Sequence, residues 1–325
     1  MTKDDHPGQA AGHPHGHAHG HRHDHGHSHD FRFEDRDWAA MADDLERGAA
    51  VEFPSLRTAA GWLRDLLSGG ESGTDTPHPV HRALDVGSGP AVAGRLLAEV
   101  FPEAEVVAVD SSPELLERAR ERAAQQGIDT ARFTTLTAEL PAGFDTLGRA
   151  DLIWTSRALH HLGDQQHALD RLAGTLSDGG LLAVAEGGLP PRFLPRNFQP
   201  GRPGFQARLD ALVEDWFVRM RAELPEENET VEDWPAMLER AGLTPSGSRT
   251  FLTEHQAPLN EPARDYLHTY LTRIADRYAD GLNEEDLRTL KALLDDDAPT
   301  GIRRRPDAFY LSATTVHTAR ARRTS

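Results

Sequence analysis

Residues 80–94, VHRALDVGSGPAVAG, decide the fold. The apolar run through Val86 is typical of a buried strand, and Gly87-Ser88-Gly89 then predicts a turn where backbone comes close to another group. Apolar residues at helical spacing follow from Val92. A strand, a glycine turn and a helix predict the opening unit of a doubly wound sheet, with its ligand at the carboxyl ends of the strands.

Acidic residues beside this turn narrow the class of ligand. The dinucleotide pattern G-x-G-x-x-G is not met, because Val92 stands at its third glycine. Asp85 lies two residues before the first glycine, where a carboxylate disfavours a pyrophosphate and favours a cation. A second apolar run, residues 106–109, ends in Asp110, which is placed to accept hydrogen bonds from a ribose diol. A nicotinamide-dependent oxidoreductase is therefore disfavoured.

Four stretches of the chain together resemble class I S-adenosylmethionine-dependent methyltransferases. They come in that family's order: DVGSGPA (85–91), VVAVDSSPELLERAR (106–120), DLIWTSRALHHL (151–162) and LSDGGLLAVAEGG (176–188). The resemblance implies an α/β fold, with a Rossmann-like doubly wound seven-stranded sheet, an antiparallel last strand, N-terminal helices and a helical lid. It also implies S-adenosylmethionine as cofactor and methyl transfer as the reaction.

Composition and the resemblance divide the chain into five parts. We expect a disordered His-rich tail (1–30), an N-terminal helical cap (31–79), the cofactor-binding core (80–188), a lid insertion (189–245) and closing strands and helices (246–325). Strands are predicted near 81–86, 105–110, 131–136, 150–155, 180–186, 247–254 and 307–317. Helices are predicted near 34–68, 92–101, 113–126, 164–176, 205–220, 231–241, 261–279 and 283–294.

The lid insertion bears on the acceptor. It opens with PPRFLPRNFQPGRPG, residues 190–204, whose prolines argue against regular structure. Its Phe, Trp and Met residues favour an apolar or aromatic acceptor, although core packing explains the same pattern. Arg192, Arg196 and Arg202 are candidates to meet an acidic group on that acceptor.

The resemblance implies cofactor-binding residues at the ends of the first four strands. They are Asp85, Gly87, Ser88, Gly89, Asp110, Ser111, Ala138, Glu139 and Ser156. Many relatives carry an Asp directly before the equivalent of Ala138, where it binds the adenine amino group. Here that residue is Thr137, so either its hydroxyl, a backbone carbonyl or Glu139 would have to accept instead.

Two further residues are candidates for catalysis. His160 follows the fourth strand and Glu186 ends the fifth, and both positions face the acceptor in this family. An imidazole with an ordinary pKa of about 6.5 is suited to remove a proton from a neutral acceptor. The structural alternatives are a helix start for His160 and a hydrogen bond to a neighbouring loop for Glu186.

The N-terminal tail carries alternating histidines that predict metal binding. They are His13, His15, His17, His19, His21, His23, His25, His27 and His29. Imidazoles on such a tail bind Ni²⁺, Zn²⁺ or Cu²⁺ when these are offered, adventitiously or as a store or delivery device. A catalytic role is not expected, because a low-complexity tail does not fix a metal's ligands.

Composition limits the location and the classes of partner that we expect. The chain has 325 residues, no cysteine and a formal net charge of -17. It lacks a secretory signal and a membrane-length apolar run, so we expect a cytoplasmic protein with no membrane partner. The negative field disfavours nucleic acid and leaves a small-molecule acceptor. Protein or peptide methylation, a metal-binding or regulatory protein on a degenerate methyltransferase fold, and a homodimer all stay open.

Overall fold

The computed structural model describes residues 38–69, 77–228 and 230–323, with side chains from residue 41 onward. The predicted metal-binding tail lies outside these residues. The helices are α1 (Trp38–Leu67), α2 (Val92–Val100), α3 (Pro113–Gln125), α4 (Gln165–Thr175), α5 (Phe205–Ala222), α6 (Trp234–Arg240), α7 (Glu261–Tyr278) and α8 (Glu284–Leu293). The strands are β1 (Arg82–Val86), β2 (Glu105–Asp110), β3 (Phe133–Thr137), β4 (Ala150–Ser156), β5 (Leu176–Arg192), β6 (Thr244–His255) and β7 (Tyr310–Arg320).

The seven strands form one sheet in the order β3-β2-β1-β4-β5-β7-β6. Strands β1 to β5 pair in parallel, whereas β7 lies between β5 and β6 and is antiparallel to both. This confirms the predicted fold class. The strand order reverses between β1 and β4, and ligands of such sheets bind beyond the strand ends at that point. We call this side, where β1–β5 end and β7 begins, the carboxyl edge.

Local sequence explains where the helices begin and end. The Ser112 hydroxyl accepts a hydrogen bond from Leu115 N–H, with Pro113 in the first turn of α3. Asp164 caps α4 in the same way, through His167 N–H. Gly127 has a φ of 72° just beyond α3, the left-handed conformation in which glycine commonly ends a helix.

The predicted N-terminal helices are one continuous helix, α1, which passes through Pro54. A proline inside a helix removes one hydrogen bond and costs about 3 kcal/mol. The turns after Pro54 offset this cost by burial, because Ala59, Ala60, Leu63 and Leu67 are at most 3% exposed against the sheet. Tertiary packing therefore overrides the local signal for a break.

Three apolar clusters hold the helices in place. The first packs α1, α2 and α3 on one face of the sheet, and the second packs α4 and α6 on the other. The third joins residues 193–209 to α7 and α8. Among the residues that the structure describes, no helix combines the length and apolarity that crossing a membrane requires.

The lid differs from its predicted boundaries. Strand β5 continues to Arg192, so the expectation that Pro190 and Pro191 lie outside regular structure is wrong. The pairing of β5 with β7 shifts between Leu189 and Arg192, which places both prolines where the ladder needs no N–H. Helix α6 is not over the strand ends either, because Trp234, Met237 and Leu238 are buried in the second cluster.

Candidate active site

The glycine turn after β1 is packed against the loop that follows β4. Gly87 has a φ of 70°, and its N–H, like that of Ser88, donates to the Val109 carbonyl at 2.9 Å. A Cβ at Gly87 would lie 2.4 Å from the Ala158 Cβ, so no larger residue fits. Gly89 also has a positive φ, and a Cβ there would stand 3.7 Å from Leu45 of α1. The turn is thus held between α1 and β4.

Asp110 ties the end of β2 to this turn. Its Oδ2 accepts from Gly89 N–H at 2.8 Å and its Oδ1 from Ser112 N–H at 3.0 Å. Burial raises the pKa of Asp110, against the lowering effect of the N–H groups of Ser112, Gly89 and Ser111. Each carboxylate oxygen can accept a second hydrogen bond, so the predicted contact with a ribose diol stays open.

Asp85 is buried at 2% exposure beneath the turn. Its Oδ2 accepts from Gly94 N–H in α2 at 2.7 Å, and a Cβ at Gly94 would come within 3.0 Å of that oxygen. Burial, together with the charge of Asp110, raises the pKa of Asp85 to about 7. Its contact in this structure is with the start of α2, and its predicted role toward a cation stays a prediction.

The other predicted cofactor residues lie along the same edge. Ser88 Oγ donates to Gly89 O at 3.3 Å, and Ala138 N–H donates to Asp110 O at 3.0 Å. The Ala138 side chain is buried in the second cluster, whereas Thr137 and Glu139 are exposed. Ser156 is half-buried at the end of β4. Their contacts with the cofactor remain predictions.

The predicted catalytic pair joins the loop after β4, which carries His160, to Glu186, which lies inside β5 and does not end it as predicted. Glu186 Oε1 accepts from the N–H groups of Ala158 and Leu159 at 3.0 and 3.1 Å, and its Oε2 lies 3.0 Å from His160 Nδ1. His160 Nε2 in turn lies 3.1 Å from His161 Nε2. The structure therefore joins two residues that the sequence named separately. Glu186 both orders the loop and orients the imidazole.

These residues fit the cofactor that the sequence implies. Gly87 and Gly89 leave the turn without side chains, and the Asp110 carboxylate keeps acceptor capacity at the strand-order reversal. A family model described as a methyltransferase domain matches residues 84–182, which run from β1 into β5. The chain contains a methyltransferase domain.

Curated relatives agree over this domain. A trans-aconitate 2-methyltransferase of Methylobacterium radiotolerans is 39% identical over 102 residues, which are 31% of this chain and 36% of that protein. One from Methylobacterium nodulans is 31% identical over 140 residues, 40% and 48% of the two chains. The chain thus spans less than half the length of these curated relatives.

Among solved structures, the chain also matches an S-adenosylmethionine-dependent methyltransferase from Thiobacillus denitrificans in complex with S-adenosylhomocysteine. It is 18% identical, has a TM-score of 0.44, and covers 83% of this chain and 91% of its own.

Helix α5 holds the His160 loop of the methyltransferase domain in place. Arg221 donates to the carbonyls of His160, Leu162 and Gly163 at 2.9, 3.0 and 3.0 Å. One turn earlier, the Phe217 ring meets the His160 ring edge-on, with centroids 5.4 Å apart. Sequence reasoning did not identify Arg221, because a helical arginine carries no signal of a partner some sixty residues away.

A second polar cluster lies at the same edge of the domain. Arg157 Nη2 contacts Glu52 of α1 at 2.8 and 2.9 Å, and the Tyr310 hydroxyl donates to Glu52 Oε1 at 3.2 Å. The rings of Tyr310 and Tyr266 lie 5.9 Å apart. Sequence reasoning missed Glu52 and Tyr310. The sheet topology brings them together, because β7 begins where β4 ends.

Two of the three lid arginines form ion pairs within the protein, and the predicted contact of the three with an acceptor stays a prediction. Arg192 forms an ion pair with Asp210 at 2.6 Å, and Arg202 contacts Glu285 and Asp286 at 3.4 Å. Arg196 is exposed. The apolar pattern is also used for packing: Phe205 and Leu209 belong to the third cluster, and α6 belongs to the second. The lid composition thus gives no evidence for an apolar acceptor.

Proposed function

We propose that this chain transfers the methyl group of S-adenosylmethionine to an O, N or C atom of a small molecule. One observation carries the proposal: the glycine turn with Asp110, and the His160–Glu186 pair, stand at the same edge of the sheet. The first set suits a nucleoside and the second suits proton transfer. The net charge of -17 supports an acceptor other than nucleic acid.

Bound S-adenosylmethionine supplies an activated methyl group, so the protein's tasks are to place the acceptor and to take its proton. With its Nδ1 proton donated to Glu186, His160 offers Nε2 as an acceptor, and His161 Nε2 is its present neighbour. A proton taken from a neutral acceptor is held on this imidazole pair. The Glu186 carboxylate stabilises the resulting imidazolium.

The identity of the acceptor is a separate proposal. Trans-aconitate, the acceptor in the names of two relatives, is the first compound to test. An aromatic acceptor stays the alternative from the sequence. A cytoplasmic location and a homodimer also stay predictions of the sequence.

Calorimetry with S-adenosylmethionine tests the cofactor half of the proposal. We expect saturable binding to the wild-type protein, weakened at least about tenfold by Asp110→Ala, which removes two backbone contacts and the acceptor of the ribose. No binding to the wild type would reject methyl transfer and favour a non-catalytic protein on this fold.

Turnover of two variants tests the proton-transfer half. We expect His160→Ala and Glu186→Ala to lower turnover while cofactor affinity changes little, since neither residue touches the glycine turn. Glu186→Gln separates the two tasks of Glu186, because an amide oxygen still accepts from the loop but no longer neutralises an imidazolium. Full activity of His160→Ala would remove His160 from the mechanism.

A further inference from the structure

Arg157 has an unusual backbone conformation directly after β4. Its φ is 51°, in the left-handed region that residues with a side chain rarely adopt. In the turn that follows, the N–H groups of Ala158 and Leu159 both donate to Glu186 Oε1, at 3.0 and 3.1 Å. Successive backbone N–H groups that converge in this way bind anions. The position of the Glu186 carboxylate therefore depends on the backbone of Arg157.

The predicted catalytic pair depends on the same turn. Glu186 is 5% exposed, and its Oε2 lies 3.0 Å from His160 Nδ1. An extended backbone at Arg157 would turn the N–H groups of residues 158 and 159 away from Glu186 and leave a buried carboxylate with fewer hydrogen bonds. The carboxylate would then no longer hold the His160 imidazole in its present orientation.

Two contacts keep Arg157 in the left-handed conformation. Its N–H donates to Ala185 O at 3.2 Å. Its Nη2 lies 2.9 Å from Oε1 and 2.8 Å from Oε2 of Glu52 in α1. Glu52 is 17% exposed, whereas the Arg157 side chain is 56% exposed, so solvent screens part of this ion pair. We therefore expect its loss to change the behaviour of the loop several-fold and not by orders of magnitude.

Glu52 is itself held in place from β6 and β7. The Tyr310 hydroxyl of β7 donates to Glu52 Oε1 at 3.2 Å. One residue earlier in α1, the Val51 carbonyl lies 2.7 Å from His255 Nε2 of β6. This part of α1 is thus attached to the two antiparallel strands that close the sheet, and the Glu52 carboxylate is a fixed partner for a guanidinium.

We propose that Glu52 positions the catalytic pair by holding Arg157 in its left-handed conformation. The inference rests on the proposed function, because it concerns the pair to which that function assigns proton transfer. Glu52 and Arg157 are positioning residues, which act through the backbone of the loop and not on the reacting atoms. The helix that packs on the glycine turn is thereby coupled to the residues that take the proton of the acceptor.

Exchange of the Ala158 and Leu159 amide hydrogens tests the proposal without any substrate. Mass spectrometry of the peptide that carries both amides measures this exchange in the full-length protein. We expect Glu52→Gln and Arg157→Ala to speed it at least about threefold, because the turn opens more often. Arg157→Gly should exchange more slowly than Arg157→Ala, since glycine adopts a φ of 51° without the steric cost of a side chain. Unchanged exchange in Glu52→Gln, or equal exchange in the two Arg157 variants, would overturn the proposal.

Turnover with trans-aconitate as the acceptor separates positioning from binding. We expect Glu52→Gln to lower kcat about three- to tenfold, with affinity for S-adenosylhomocysteine within about twofold of the wild type. In an Arg157→Gly background the same substitution should lower kcat no further, because the loop there does not depend on the ion pair. An equal loss in both backgrounds would show that Glu52 acts on α1 alone and would overturn the proposal.

Glu99→Gln is the matched control. It breaks the ion pair of Glu99 in α2 with Arg57 of α1, at 3.1 Å, and leaves the loop after β4 untouched. Amide exchange and kcat should both stay at their wild-type values. Absence of S-adenosylmethionine binding in the wild type would reject the proposed function, whereas the exchange rates decide the role of Glu52 with or without turnover.

Discussion

Two glycines with nearly the same backbone conformation have different environments. Gly87 and Gly127 have φ values of 70° and 72°. A Cβ would meet Ala158 at 2.4 Å at Gly87, whereas at Gly127 it would meet no atom of the described residues within 4 Å. An alanine therefore has the same conformational cost at both positions. Only the alanine at position 87 would also collide with the loop that carries His160. Comparison of the two separates backbone strain from the contact between turn and loop.

Gly127→Ala is expected to lower the free energy of unfolding by about 1 kcal/mol, and Gly87→Ala by ~3 kcal/mol, because the second adds overpacking. Denaturation in urea measures both. Gly87→Ala should also weaken S-adenosylhomocysteine binding, since the turn must shift. Equal losses in the two variants would show that the turn and the loop after β4 are not in close contact.

The buried Asp85 carboxyl makes the free energy of unfolding fall as pH rises, opposite to the usual effect of a carboxyl group. Its pKa is about 7 in the folded protein and about 3.8 when unfolded. Between these values the folded state keeps a proton that the unfolded state has released, so stability falls as pH rises. Asp85→Asn keeps an oxygen for Gly94 N–H but does not titrate.

The stability of the wild type relative to Asp85→Asn is therefore expected to fall by a few kcal/mol between pH 4 and pH 7. Urea denaturation of both proteins across this range measures the difference. A difference that is constant with pH, or that rises, would show that the Asp85 carboxyl is not held in its neutral form by burial.

At the scale of elements, α5 and the loop after β4 form one unit. Three carbonyls of that loop depend on Arg221, and Phe217 packs against His160. The α5 helix thus positions a catalytic candidate rather than only covering it. This follows from geometry that no periodicity in the sequence reveals.

Arg221→Met is expected to lower kcat about tenfold or more, with little change in affinity for S-adenosylhomocysteine, because the His160 loop loses its three hydrogen bonds. Arg219→Met, on an exposed position of the same helix, is the control. If both variants keep wild-type kcat, α5 does not position His160.

The sequence predicted the elements better than their associations. Apolar runs and caps such as Ser112 located the strands and helices, because these signals are local. The glycine turn and two acidic residues, Asp85 and Asp110, predicted the cofactor side of the site, and their contacts with a cofactor stay predictions. The contacts of Arg157 with Glu52 and of Glu186 with the His160 loop depend on residues that only the folded sheet brings together.

Tertiary packing determined the secondary structure at positions where the local sequence signals were misleading. Pro54 lies inside α1, and Pro190 lies inside β5. In each case the proline provides no N–H donor, whereas the neighbouring residues keep their burial or their strand pairing. The lid aromatics were misleading because aromatic residues are common both in binding surfaces and in cores. Trp234 is buried in the second cluster.

At the scale of the whole molecule, the tail and the domain are expected to act independently. Deletion of residues 1–30 should leave S-adenosylmethionine binding unchanged, because the predicted site lies in residues 85–186. The same deletion should abolish most high-stoichiometry Ni²⁺ uptake, since it removes His6 and the nine alternating histidines. Calorimetry with each ligand measures both, and loss of methyl transfer on deletion would assign the tail to catalysis.

The position of β7 between β5 and β6 has a consequence for how the protein is made. Within the part of the chain that the structure describes, strand β6 pairs only with β7, and Leu182 of β5 pairs with Ala319, far along the chain. During synthesis, the nucleoside side of the sheet can assemble from β1–β5 while the β5 edge is still open. Tyr310, which holds Glu52, arrives with the closing strand. A nascent chain should thus gain cofactor affinity before Glu52 gains its contact with Tyr310.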